Sequence, residues 1–283
     1  MPDGRLLEYA ELGDPRGRPV VYLHGTPATA GAGRSWDGAA KGQGVRLLSV
    51  SRPGYGASGN TPPGLASVGQ DVAELARVLG MDQFAVVGIS GGGPFALAVA
   101  SQAPAMVSAV LVAAGPGCYS EVAPELLEPE DLEAVALLGR GDPAAAVAVV
   151  SDGVTRDMGG LRELAGPEFA EAFGGQIPPG EPDYFAAHPD EKAPFFADVQ
   201  RALTTFDGFV RDNLSWIAPW DIDLADVRAE VQLAYGSEDH MVPVLHGEWL
   251  QARLPSAALT VHPGAGHGDI TMGLAEGHLS TLA

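Results

Sequence analysis

The chain has 283 residues, of which 46% are hydrophobic and 18% charged, a composition typical of a globular protein with a sizeable core. Its formal net charge of −20 argues against nucleic acid or an anionic membrane surface as a partner. The single cysteine, Cys118, excludes an intrachain disulfide and a metal site built from several cysteines, and we expect it to be buried or half-buried.

The first 116 residues alternate between strand-like and helix-like segments. The N-terminus has no apolar run after its positive charge, so no signal peptide is expected and we predict a soluble, cytoplasmic protein. Apolar spacing over 67–79, ended by Gly80, predicts a helix. The uncharged stretch 94–118 approaches the length of a membrane span, but Gln102 and Pro104 interrupt it, so we predict a buried helix and strand. Strands are predicted at 6–12, 19–23, 47–50, 84–87 and 107–113.

The pattern changes from residue 117 to residue 219, where strand signals vanish. Segments 129–138 and 195–216 have helical character, and breaks rich in proline and glycine separate the helical segments. Nineteen of the 36 acidic side chains lie between 117 and 220, against six Lys and Arg. We interpret this excess as a solvated helical surface; the alternative is a field that attracts a cationic substrate.

Strand character returns at 231–235 and 257–261, with a helix predicted over 244–254 between them. Strands that alternate with helices imply right-handed crossovers and a mostly parallel sheet. The expected architecture is therefore α/β. Its core would comprise 1–116 and 220–283, and residues 117–219 would form a helical insertion that lies over the sheet.

The pattern Gly88-Ile89-Ser90-Gly91-Gly92 lies between an apolar run and an alanine-rich segment. This G-x-S-x-G sequence in strand–turn–helix context predicts a nucleophile elbow. The chain must reverse within about five residues, which strains the serine and leaves room only for glycine beside it. Ser90 would then lie at a helix N-terminus, where free N–H groups favour developing negative charge. The alternative is a glycine-rich turn whose serine only caps a helix.

Three further motifs accompany the elbow, and with it they resemble the α/β-hydrolase fold superfamily. They are His24-Gly25-Thr26-Pro27, Ser51-Arg52-Pro53-Gly54-Tyr55-Gly56-Ala57-Ser58, and Gly236-Ser237-Glu238-Asp239-His240-Met241-Val242-Pro243 followed by Gly264-Ala265-Gly266-His267. The resemblance covers roughly 5–115 and 220–280. It implies a mostly parallel central sheet flanked by helices, with a helical cap at the position of the insertion.

The resemblance also implies a catalytic triad in the order Ser90, Asp239, His267. The imidazole would take the proton of the serine hydroxyl, and the carboxylate would orient the imidazole and stabilise its cationic form. Glu238 is an alternative acid, although Asp239 matches the family's spacing to Pro243.

The resemblance assigns the oxyanion hole to the backbone N–H groups of Thr26 and Gly91, and the Thr26 hydroxyl could add a further bond. It gives His24 a structural part. Among the other histidines, we expect His188, His246 and His278 to be solvated or satisfied in the core.

These motifs predict a serine hydrolase that cleaves a carboxylic ester of a small molecule through an acyl-enzyme, with no cofactor and no metal. The insertion would shape the acyl or alcohol pocket. The substrate-binding candidates are Phe196, Trp216 and Trp220, with Phe185, Phe195, Phe206 and Phe209 as further aromatic candidates from the same insertion.

Other functions are weighed against this hypothesis. A dehalogenase or an epoxide hydrolase of this fold would carry Asp at the elbow, so Ser90 argues against both functions. An aminopeptidase, with insertion carboxylates that hold a free amine, remains open, although the elbow differs from the Gly-x-Ser-Trp-Gly of proline iminopeptidases. Hydrolysis of a carbon–carbon bond or acyl transfer would use the same triad. A noncatalytic receptor or scaffold is the alternative from another class. The natural substrate and the oligomeric state are left open by the sequence.

Overall fold

The computed structural model describes residues 1–282, in which seven strands form one sheet in the order β1-β3-β2-β4-β5-β6-β7. Only β1 is antiparallel to its neighbour; the other strands are parallel. The predicted mostly parallel sheet is therefore confirmed. The strands are β1 (Tyr9–Gly13), β2 (Arg18–Leu23), β3 (Val45–Val50), β4 (Phe84–Ile89), β5 (Val107–Ala113), β6 (Glu230–Gly236) and β7 (Ala257–His262).

Helices connect the strands and cover the sheet. Those of the core are α1 (Asp37–Gly42), α2 (Ala66–Val78), α3 (Gly93–Gln102), α11 (Leu245–Gln251) and α12 (Ala275–Thr281). Between β5 and β6 lie α4 (Tyr119–Val122), α5 (Pro129–Gly139), α6 (Pro143–Met158), α7 (Gly166–Gly174), α8 (Tyr184–Ala187), α9 (Pro189–Ala202) and α10 (Asp207–Ile217). Short 3-10 turns join several of them, and a π-helical turn (Asp269–Gly273) precedes α12.

The sheet has a hydrophobic layer on each face, because successive side chains of a strand point to opposite sides. On β2, Val21 and Leu23 join a cluster that includes the apolar side chains of α2 and α3. Val20 and Tyr22 join a second cluster with residues of α1 and α12. The central strands are buried on both faces, which explains why they appear in the sequence as unbroken apolar runs.

The stretch 94–118 forms α3 and β5, as predicted, and Cys118 is buried after them. Among residues 1–282, no helix combines the length and the apolar character needed to cross a bilayer.

The segment 195–216, expected to be helical, contains the end of α9 and most of α10, which are separate helices. The break is at residues 203–206, where two adjacent threonines have low helix propensity. The Thr204 hydroxyl donates to the carbonyl of Arg201 at 2.8 Å, a local bond that competes with continued helix.

Candidate active site

The residues that the sequence singles out lie on loops at one edge of the sheet. Thr26 follows β2, Ser90 follows β4, Asp239 follows β6 and His267 follows β7. Because these four strands are parallel, their carboxyl ends meet at the same edge. Residues far apart in the chain are thus brought to one region of the molecule.

Ser90 occupies a strained turn between β4 and α3. Its φ is +50°, in the left-handed region that non-glycine residues rarely adopt. A Cβ on Gly92 would lie 2.2 Å from the carbonyl oxygen of Leu23, and one on Gly88 would lie 2.5 Å from that of Gly92. Both positions therefore require glycine. The turn leaves Ser90 half-buried at the start of the helical segment.

His267 is bound to Asp239 through its ring. Its Nδ1 lies 2.8 Å from Asp239 Oδ2, and the Asp239 side chain is fully buried. The other carboxylate oxygen accepts from the N–H groups of Met241 and Val242, at 2.9 and 2.7 Å. Since both oxygens are satisfied, the carboxylate has a fixed orientation. The alternative acid, Glu238, is exposed and accepts from the Ser237 hydroxyl.

Ser90 and His267 line the same cavity, whose volume is about 1140 Å³. Within the described residues, the Ser90 hydroxyl makes no direct hydrogen bond to the imidazole. Hydrogen bonds of this kind are often long or misaligned before a substrate binds. The structure therefore brings a hydroxyl and an imidazole to one cavity. The imidazole is bonded to the carboxylate of Asp239 but not to the hydroxyl of Ser90.

The Thr26 loop lies directly against the elbow. A Cβ on Gly91 would be 2.6 Å from the Thr26 hydroxyl oxygen, and one on Gly25 would be 3.4 Å from the Ser90 Cβ. Gly91 is in the first turn of its helical segment, where N–H groups have no partner within the helix. Negative charge that develops beside Ser90 would thus lie near the backbone of Thr26 and that of Gly91.

The Thr26 hydroxyl already has two hydrogen-bond partners. It donates to Asp212 Oδ2 at 2.8 Å and accepts from the Arg52 guanidinium at 2.8 Å. The expectation that this hydroxyl could add a bond to the oxyanion hole is therefore not supported by its hydrogen bonds.

Arg52 binds several groups around the Thr26 loop, a role that the sequence does not reveal. Its guanidinium is fully buried, lies 2.6 Å from Asp212 and also donates to the carbonyls of His24 and Gly25. In the neutral form of His24 both ring nitrogens have partners. Nδ1 donates to the Gly25 carbonyl, and Nε2 accepts the backbone N–H of Arg52. Burial, and to a lesser extent Arg52, lowers the pKa of His24 well below its usual value. No local pattern signals the Arg52–Asp212 pair, because 160 residues separate its members.

The predicted aromatic candidates divide into two groups. Phe196 lines the cavity with Phe185 and Phe195, and so do Phe173 and Tyr184, which no sequence motif had marked as candidates. Trp216, Trp220, Phe206 and Phe209 lie outside the set of lining residues. Trp216 packs behind the elbow, 2.8 Å from where a Gly91 Cβ would be, and Trp220 packs edge-on against Trp249.

Charged side chains in the cavity wall are mostly acidic and mostly already bonded. Asp198 binds the N–H and hydroxyl of Thr29, and Glu191 accepts from the Tyr184 hydroxyl at 3.1 Å. The acidic lining residues are Glu171, Glu181, Asp183, Asp190, Glu191 and Asp198, and the basic ones are Arg34, Lys192 and Arg201. Across residues 1–282, no group of three or more His, Cys, Asp or Glu side chains has the geometry to hold a metal ion.

The chain belongs to the alpha/beta hydrolase family, whose model matches residues 20–275. The fold is also that of an esterase from Exiguobacterium antarcticum, with a TM-score of 0.69 at 19% identity over 99% of this chain and 96% of that one. At that identity the likeness shows the architecture alone. Family membership makes the chain a hydrolase-family protein and confirms the predicted fold class.

Two curated relatives match parts of the chain. The uncharacterized hydrolase YcgS of Bacillus subtilis is 30% identical over 132 residues, which are 46% of this chain and 43% of that protein. A probable proline iminopeptidase of Streptomyces coelicolor is 33% identical over 133 residues, 43% of this chain and 40% of that protein. The matches thus span less than half the length of these relatives.

Proposed function

We propose that this chain is a serine hydrolase that cleaves a carboxylic ester of a small molecule through an acyl-enzyme. The observation that carries the proposal is the shared cavity of Ser90 and His267, with the imidazole bound to buried Asp239 at 2.8 Å. A strained serine, an imidazole and an orienting carboxylate are the parts that nucleophilic acyl transfer requires.

In the proposed first step, Ser90 Oγ attacks the ester carbonyl carbon while His267 Nε2 takes the hydroxyl proton. The carbonyl oxygen becomes an oxyanion, which accepts hydrogen bonds from the N–H groups of Gly91 and Thr26. The tetrahedral intermediate then expels the alcohol, which takes the proton from His267. The product is an ester between Ser90 and the acyl group.

In the second step, a water molecule gives a proton to His267 and attacks the acyl carbon. The second intermediate collapses with release of the carboxylic acid, and Ser90 Oγ recovers the proton. Asp239 stays ionised throughout, where it fixes the tautomer and stabilises the imidazolium.

We further propose that the helical insertion, residues 117–219, is a cap over a core of residues 1–116 and 220–283. Its contribution of Phe173, Phe185, Phe195 and Phe196 to the cavity supports this role. An apolar wall of this size favours a bulky hydrophobic acyl or alcohol group. Two added methylenes in the acyl chain should raise kcat/KM roughly tenfold at about 0.8 kcal/mol each.

The experiment compares hydrolysis of p-nitrophenyl acetate and butyrate, with and without a fluorophosphonate. We expect turnover that is lost as one phosphonyl group attaches to Ser90, and a faster reaction with butyrate. Ser90→Ala should abolish both the turnover and the labelling. Ser280→Ala, which changes an exposed serine on α12, serves as the control and should retain both. Wild-type rates in Ser90→Ala would contradict the mechanism, and absence of both labelling and turnover would favour a noncatalytic receptor.

A second candidate function is aminopeptidase activity. Two observations favour it: the acidic excess in the cavity wall and the partial similarity to a probable proline iminopeptidase. An insertion carboxylate would then hold the free amine of the substrate. Proline p-nitroanilide tests this candidate directly. If this compound is hydrolysed and its N-acetylated analogue is not, the enzyme must recognise the free amine.

A further inference from the structure

A single carboxylate from the helical insertion binds both loops that carry the acid and the base. Glu181 Oε2 accepts the N–H of His240 at 2.7 Å, and Oε1 accepts the N–H of His267 at 2.5 Å. His240 directly follows Asp239, so each bond is at or next to a residue of the proposed triad. Hydrogen bonds to an ionised carboxylate are about twice as strong as those between neutral groups.

The segment around Glu181 is fitted closely to these loops. A Cβ on Gly266 would lie 2.7 Å from Glu181 Oε1 and 2.7 Å from the Pro182 ring. On the other side, a Cβ on Gly180 would lie 3.2 Å from the His240 ring. Proline residues at 178, 179 and 182 restrict the backbone of the segment, so the carboxylate is presented from a stiff support.

Bonds within the core also join the two loops. The N–H of Glu238 donates to the carbonyl of Ala265 at 3.0 Å, that of Ser237 donates to the carbonyl of His262 at 3.1 Å, and that of Gly264 donates to the Ser237 hydroxyl at 2.8 Å. Within the second loop, Asp269 accepts the N–H of Gly266 at 2.9 Å. The N–H of His267 itself is bound by Glu181, which belongs to the insertion. The backbone of the residue that carries the imidazole is therefore held in part by a group outside the core.

We propose that Glu181 is a positioning residue, which holds the Asp239 and His267 loops in the arrangement that lets the imidazole reach Ser90. This inference rests on the proposed function. It makes the insertion part of the catalytic arrangement as well as a wall of the cavity, because one carboxylate of the insertion holds both loops.

The test measures kcat and KM for p-nitrophenyl butyrate, and the rate of phosphonylation, in Glu181→Gln and Glu181→Ala. Glutamine has the size of glutamate but only one acceptor oxygen, so it can satisfy one of the two N–H groups. We expect kcat and the phosphonylation rate to fall together, about tenfold for Gln and more for Ala, with KM within twofold of wild type. A smaller folded fraction would also lower the apparent kcat at constant KM, so kcat is expressed per labelled Ser90. A positioning role lowers this corrected kcat and the phosphonylation rate constant, whereas a loss of folded protein lowers only the extent of labelling.

Glu168→Gln is the matched control, because Glu168 is an exposed acid on α7 of the same insertion and lies outside the cavity lining. It should retain wild-type kinetics. If Glu181→Ala fails to fold by circular dichroism, the isosteric Gln variant decides the question.

The outcomes separate the two proposals. Wild-type protein that labels at Ser90, with Glu181 variants of unchanged kcat and phosphonylation rate, would overturn the positioning role and leave the hydrolase intact. A rise in KM at constant kcat would also overturn it, since Glu181 would then act on substrate binding. Failure of the wild type to label or turn over would overturn the proposed function, and the positioning role with it.

Discussion

The carboxylate of Asp212 lies 2.6 Å from the guanidinium of Arg52, and both side chains are fully buried although they come from different parts of the chain. Asp212 is on α10 of the helical insertion, and Arg52 follows β3 of the core. The same carboxylate oxygen accepts the Thr26 hydroxyl. One buried ion pair thus links the insertion to the loop beside Ser90.

Removing the acid of this pair should be strongly destabilising. Asp212→Asn leaves the buried Arg52 charge uncompensated, and breaking a buried pair from one side costs about 3–5 kcal/mol. The free energy of unfolding in urea is the measurement. Glu74→Gln, which breaks an exposed pair with Arg77 at 3.4 Å, is the control and should cost about 1 kcal/mol or less. Equal effects of the two substitutions would contradict the role of the buried pair.

The Thr26 hydroxyl should matter more for stability than for activity. Thr26→Val removes the bonds to Asp212 and Arg52 and should lower the free energy of unfolding by about 1–3 kcal/mol. If only the backbone N–H serves the oxyanion, kcat should fall much less than the 10²–10³-fold typical of a lost oxyanion donor. Thr26→Ser, which keeps the hydroxyl, is the control. A loss of that size in the valine variant alone would assign the hydroxyl to catalysis.

Asp239→Asn should separate the two candidate acids. The amide cannot hold the imidazole in the required tautomer, so kcat for p-nitrophenyl butyrate should fall by about 10⁴-fold. Glu238→Gln changes an exposed neighbour whose carboxylate accepts from Ser237, and it should retain most activity. The reverse ranking of the two variants would move the proposed role to Glu238.

Glycine at the elbow should be irreplaceable. Gly92→Ala would bring its Cβ to 2.2 Å from the Leu23 carbonyl oxygen and 2.6 Å from that of His24, so we expect a loss of about 3 kcal/mol or more in unfolding free energy. Gly277→Ala on α12 is the matched control, since a Cβ there meets nothing within 4 Å. That substitution should stabilise by about 0.5–1 kcal/mol, because alanine favours helix. Similar thermal midpoints for both variants would refute the crowding argument.

Buried His246 should make the protein less stable as the pH falls. Burial lowers the pKa of His246 to about 4, whereas the unfolded chain has the usual value near 6.5. Between these values the unfolded state binds more protons, so the free energy of unfolding decreases as pH drops through this window. From pH 7 to pH 5 the contribution of this one group is about 2 kcal/mol.

His246→Asn tests this, because the amide oxygen can still accept the N–H of Gly117, as Nδ1 does at 3.1 Å. Urea unfolding at the two pH values should give a smaller loss in the variant than in the wild type. An identical loss in both proteins would show that His246 does not titrate as its burial implies.

Much of the fold could be predicted because its signals are local. The apolar runs of β2 to β6 and the glycine-flanked Ser90 follow from backbone sterics and burial within a few residues. The break between α9 and α10 was missed because the two halves share similar helical spacing, and only the threonines at 204 and 205 hint at it. Of the three substrate-binding candidates, Phe196 lines the cavity and Trp216 and Trp220 do not, because aromatic composition does not say what a side chain packs against.

The sequence by itself determined the α/β architecture, the strained elbow and the set of residues that the sheet edge would collect. Only the tertiary structure decided which acid contacts His267, that Arg52 and Asp212 pair in the core, and that Glu181 binds both loops. The reason is physical: strand, turn and helix preferences arise from atoms a few bonds apart. Contacts across more than a hundred residues depend instead on how the layers pack, which no short stretch of chain encodes.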